Sequence, residues 1–155
     1  MKLTSPVFQN NGKIPEKYTC DSDNNISPPL EISDVPKTAK CLVLIMDDPD
    51  IPEFVKKKFK TEVWDHWIVF NIPPNTKKIE ECKNPIGLLG INTNKDLGYT
   101  GPCLPDKEHR YFFRLYALNI ILNLKEGSTK LQVEQAMQNN ILAETFLIGK
   151  YERKK

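Results

Sequence analysis

The stretch AKCLVLIMDDPDIP, residues 39–52, decides how this chain is read. Residues 39–46 form a continuous apolar run, most easily read as a buried strand. It ends in Asp47, Asp48 and Asp50, framed by Pro49 and Pro52. An ordinary turn needs one or two polar residues. Proline locks φ and so fixes where a neighbouring carboxylate points. The acidic knot is therefore read as a positioned pocket wall. The plainer alternative is a rigid turn whose aspartates satisfy backbone N–H groups.

The chain holds two histidines, and each begins an apolar strand. His66 lies in WDHWIVFNI, residues 64–72, which Pro73 and Pro74 terminate. His109 opens HRYFFRLYALN, residues 109–119. The two-residue period of a strand places His66 on the face of Ile68 and Phe70. The same period places His109 with Tyr111 and Phe113, and turns Arg110 away from them. Three neighbouring strands carrying these groups at comparable ends would gather them at one rim of a sheet, where a rigid scaffold can hold a site.

Composition sets the wider frame. The chain has 155 residues, enough for one domain spanning 1–155 with a real core. Net charge is +2, too mild to point to nucleic acid. The 12 prolines favour short strands and shaped loops over long helices. Runs of strands with few helices suggest an antiparallel sandwich. No stretch approaches the roughly 20 apolar residues of a membrane span, and the first residues carry no apolar signal region. The expectation is a cytoplasmic protein, with four free thiols as the default in a reducing compartment. Cys41 reads as core packing, whereas Cys20 and Cys103 sit in loops and are open to exposure or pairing.

Other segments are plainer. SPPLEI, with two prolines, suggests an extended edge or polyproline segment rather than a central strand. Residues 129–140 are the best helix, with Ser128 as its N-cap. Residues 141–151 read as a helical turn followed by a strand. Residues 53–63 carry Lys56, Lys57, Lys58 and Lys60 between Phe54 and Phe59, read as a solvated loop or short helix anchored by its phenylalanines.

DDPDIP at 47–52, DHWIVFNIP at 65–73 and GYTGPCLPDKEHRYFFRLYAL at 98–118 together resemble the phosphatidylethanolamine-binding protein family. The likeness is strongest to its bacterial, Raf-kinase-inhibitor-like branch. IPEKYTCDSDNNISPPL at 14–30 and ILAETFLIGKYER at 141–153 extend it over nearly the whole chain. The resemblance implies a mainly β fold, a large antiparallel sheet on a smaller one with few short helices. It also implies a small cavity for phosphate or phosphorylated headgroups, lined by Asp48, Pro52, His66, Gly101, Pro102, His109 and Tyr111. Asp50 matches the motif but reads as structural. A kinase or protease partner and a homodimer are implied by resemblance alone.

The chemistry of such a pocket follows from its residues. Gly101 lacks a Cβ, so its N–H could approach an anion closely. Tyr111 and the imidazoles offer donors. Asp48 is expected to set the proton state of a histidine. With no Arg or Lys in the motif, simple anions should bind weakly. Removing Asp48 or His66 is expected to weaken phosphate binding and leave thermal stability largely intact. Ile51, Leu104 and the lysine-rich insert depart from the branch's usual pattern.

The leading reading is a binding and regulatory module without cofactor, not an enzyme. Two others compete. His66, His109 and Asp48 have the residue types of a two-histidine, one-carboxylate metal enzyme. Cys103 could be a nucleophile activated by His109.

Overall fold

The computed structural model describes residues 1–154. Two sheets face each other. The smaller has the order β1-β3-β6, from Lys2–Thr4, Leu30–Ser33 and Lys78–Ile79. The larger has the order β2-β9-β8-β4-β5-β7. Its strands are β2 (Gly12–Lys13), β4 (Cys41–Asp48), β5 (Trp64–Ile72), β7 (Leu88–Leu89), β8 (His109–Leu118) and β9 (Ile141–Tyr151). Every pairing is antiparallel except that of β2 with β9. This is the mainly β, two-sheet architecture expected from the sequence.

The unbroken apolar run of β4 has a structural cause: the strand is buried on both faces. Leu42, Leu44 and Met46 join Leu30 and Ile32 of the small sheet in the inter-sheet core. Cys41, Val43 and Ile45 meet Val133 and Met137 of helix α2 (Lys130–Met137) on the opposite face. A strand covered by a sheet on one side and a helix on the other needs apolar residues at every position.

Several local expectations are corrected. SPPLEI supplies β3, the middle strand of the small sheet, because Pro28 and Pro29 precede the strand and leave its ladder donors intact. Helix α2 is capped by Thr129 rather than Ser128, since only Thr129 completes a reciprocal capping box with Gln132. Residues 141–151 are strand throughout, held by the long β8 partner. The lysine-rich insert forms helix α1 (Glu53–Phe59), anchored by buried Val55 while Phe54 and Phe59 remain exposed.

The default of four free thiols is also overturned. Cys20 and Cys103 form a disulfide, with Cα atoms 5.3 Å apart across 83 residues of sequence. It ties the segment after Tyr18 to the loop that leads into β8. Cys41 and Cys82 are free.

Candidate functional site

Each carboxylate of the acidic knot has its own basic partner, and all three partners lie on β8. Asp47 accepts from the Arg114 guanidinium at 2.9 and 3.1 Å. Asp48 meets His109 Nδ1 at 2.5 Å. Asp50 accepts from Arg110 Nε and Nη2 at 2.9 and 2.8 Å, and from its backbone N–H. Strand alternation sorts these pairs. Asp47 and Arg114 stand on the face of α2, where Lys130 adds a 2.7 Å ion pair to Asp65. Asp48 and His109 stand on the inter-sheet face. Arg110 turns outward, as expected, and holds the Asp50 carboxyl down to about 2.

The β4–β5 ladder brings His66 to the same place by breaking its own period. Met46 pairs with Trp67 and Asp47 with Asp65, so His66 is the extra residue of a β-bulge. A bulge places two successive side chains on nearly the same side of the strand. His66 therefore leaves the face of Ile68 and Phe70, and the expectation that it shares theirs is corrected. Its ring lies edge-on to Tyr111, with centroids 5.3 Å apart. On the other side, Tyr111 stacks on His109 at 6.2 Å. Asp48, His66, His109 and Tyr111 are thus brought together at one end of the inter-sheet core, and each is at most 4% exposed.

The two imidazoles are held in different proton states. Burial alone would push His109 down, but Asp48 at Nδ1 and Asp106 at Nε2, 2.7 Å away, outweigh it and raise its pKa. Both ring nitrogens face carboxylates, and only the imidazolium has an N–H for each. Burial pushes His66 down, against the opposing pull of the Thr100 carbonyl and of Asp48. Its Nδ1 lies 2.6 Å from Thr100 O. A carbonyl only accepts, so Nδ1 carries the hydrogen. The opposite nitrogen, Nε2, is buried and has no hydrogen-bond partner among the described residues. Burial first, then Asp48, also pushes the Tyr111 hydroxyl far up, so it remains a donor at neutral pH.

The remaining expected residues make their hydrogen bonds outside this cluster. Pro52 caps α1, and its carbonyl accepts from Val55 and Lys56. The Pro102 carbonyl accepts from Cys20 N–H. The Gly101 N–H, expected to face an anion, donates instead to Asn25 Oδ1 at 3.1 Å. The need for glycine there is close approach: a Cβ would lie 2.4 Å from Tyr18 O and 2.3 Å from Asn25 Oδ1. Hollows of about 440 and 400 Å³ flank β9, and neither is lined by these residues.

Sequence reasoning missed Asp106, Thr100, Asn25 and the two arginine partners. Asp106 stands three residues before His109, and the arginines alternate along β8 opposite an acidic strand end, so charge matching between adjacent strands could have found them. The Thr100 carbonyl leaves no side-chain signal. Among the described residues, no group of three or more His, Cys, Asp or Glu side chains is arranged to hold a metal. Cys103 is bonded to Cys20, which removes the thiolate that the nucleophile reading requires.

Comparison with known proteins adds the family. The family model described as phosphatidylethanolamine-binding protein matches residues 4–152. A UPF0098 protein of Methanothermobacter thermautotrophicus is 46% identical, over 99% of both chains. One from Chlamydia trachomatis is 44% identical, again over 99% of both. Among solved structures, a C. trachomatis protein described as a homologue of this family superposes with a TM-score of 0.92 at 44% identity, covering 98% of this chain and 97% of that one. E. coli YbcL, described as a member of the mammalian PEBP family, gives 0.85 at 26% identity, covering 99% and 98%.

Proposed function

The chain belongs to the phosphatidylethanolamine-binding protein family, and from that premise we propose that it binds a small oxyanion or phosphoryl group at the Asp48–His66–His109–Tyr111 cluster. The protein acts by binding rather than by turnover. The observation that carries this reading is the common burial of the Asp48–His109 pair, of Tyr111 stacked on His109, and of the neutral His66 imidazole edge-on to Tyr111. Tyr111 and His109 supply donors. Asp48 keeps His109 charged and fixes the plane of its ring.

Asp106 stands in the place of the guest. Its carboxylate occupies the Nε2–H of His109, as a phosphoryl oxygen would. It comes from the irregular segment between Gly101 and β8, and its side chain is 30% exposed. An incoming anion takes over that hydrogen bond and releases Asp106 to water. With a carboxylate already in place, simple anions are expected to bind weakly, since the guest gains only the difference between the two contacts.

Calorimetric titration with inorganic phosphate tests this. Asp106→Ala removes both the competitor and a negative charge. It is expected to tighten phosphate binding by about tenfold, the worth of one charge-assisted hydrogen bond. Absence of binding to both the wild type and Asp106→Ala would refute the proposal.

A further inference from the structure

We propose that the site selects oxyanions that carry their own proton, a phosphate or phosphomonoester with a P–OH group, and that His66 Nε2 accepts that hydrogen. This rests on the reading of the cluster as an oxyanion site. The Thr100 carbonyl fixes the tautomer, because it can only accept and lies 2.6 Å from Nδ1. The neutral ring then presents a lone pair at Nε2. That atom is buried without a hydrogen-bond partner among the described residues. A buried acceptor left unmatched is costly, and a donor that reaches it recovers that cost.

The surroundings oppose the alternative, in which His66 takes up a proton and donates. Asp48, Asp65 and Asp47 act on it through space, Tyr111 of β8 lies edge-on to it, and His109 lies beyond Tyr111. Asp47 and Asp65 are already paired with Arg114 and Lys130. Asp48 is shared between His109 and the backbone N–H of Asp50. The charges that would stabilise a second imidazolium are therefore spent on other cations, and burial keeps the ring neutral. A fully deprotonated oxyanion would set its lone pairs against that of Nε2. A monoprotonated one points its single O–H there and its remaining oxygens at His109 and Tyr111.

Phosphate and sulfate separate the two cases, since at pH 8 both are mainly dianions of the same shape and only phosphate keeps a hydrogen. Titrations of the intact protein at pH 8 are expected to favour inorganic phosphate over sulfate by at least about tenfold. O-phosphorylethanolamine, whose monoester loses its last proton at about pH 6, is expected to bind like sulfate at pH 8 and to exceed sulfate only at about pH 5. Binding of inorganic phosphate alone would identify the free ion as the guest. Binding of O-phosphorylethanolamine as well at about pH 5, where it keeps its proton, would identify the monoester group of a headgroup. Either supports the proposal. His66→Gln, which offers a donor as well as an acceptor, is expected to bring phosphate and sulfate to within about threefold. Nitrogen NMR of the His66 ring gives a readout that does not depend on that variant folding. The wild-type ring should show an unprotonated Nε2 both before and after phosphate addition, with its resonance shifted in the complex by the accepted hydrogen bond. Equal affinity for sulfate, or an imidazolium pattern in the complex, would overturn the proposal while leaving the oxyanion site intact. Failure of all three anions to bind would overturn the site itself.

Discussion

Asp48 and His109 are 61 residues apart in sequence, yet their Oδ2 and Nδ1 atoms lie 2.5 Å apart with both side chains fully buried. The pair closes the end of two antiparallel strands and sets the charge of the cluster.

The burial of that pair changes what Asp48→Ala should do. A surface carboxylate could be removed with little loss of stability, which was the expectation from sequence. Here the substitution strands a buried imidazolium with Asp106 as its remaining partner. Breaking a buried pair from one side costs about 3–5 kcal/mol. Urea unfolding should show that loss, and a midpoint equal to the wild type's would show the pair contributes little.

The two histidines impose opposite pH slopes on stability. His109 has a folded pKa raised above its ordinary 6.5, so its contribution is complete below pH 6.5 and is lost as pH rises through the folded value. His66 has a folded pKa below 6.5, so it favours folding above pH 6.5 and loses that advantage as pH falls through the folded value. Together they place a maximum near pH 6.5. Denaturant midpoints across pH 5–8 would reveal it. Replacing His66 with Asn should flatten only the acidic limb.

Gly101→Ala tests the close approach between loops. The added Cβ collides with the backbone of Tyr18 and the side chain of Asn25, and overpacking of this kind costs about 1–3 kcal/mol. The loop bearing Asp106 should shift with it. Thermal unfolding and the His109 ring resonances would record both effects, and an unchanged spectrum would mean that the loop yields freely.

Thiol titration of the protein, unfolded without reductant, should count two free groups, Cys41 and Cys82. Reduction frees the Cys20–Cys103 link, which spans 83 residues and limits the unfolded chain by about 4–5 kcal/mol of conformational entropy. The reduced protein should unfold at lower urea. Four reactive thiols in the untreated protein would refute the bond.

Asp106 and Asp48 differ in how visible they were. The apolar run ending in DDPD announced a buried strand with a charged end, and HRYFFR announced another. Period-two alternation then placed His109 and Tyr111 on one face correctly, because β4 and β8 pair without interruption from Cys41–Leu118 to Asp47–Phe112. The same rule misplaced His66, because a bulge is a property of the ladder between two strands and not of either strand alone.

Local patterning in the chain, acting through side-chain volume and strand period, was enough to determine which strands are buried, where the acidic knot falls and which residues could meet. Tertiary structure alone decided that Cys20 reaches Cys103, that Asp106 folds back onto His109, and that the Thr100 carbonyl fixes the tautomer of His66. Those contacts join segments with no periodic relation to one another. Only the packing of loops over a completed sandwich specifies them.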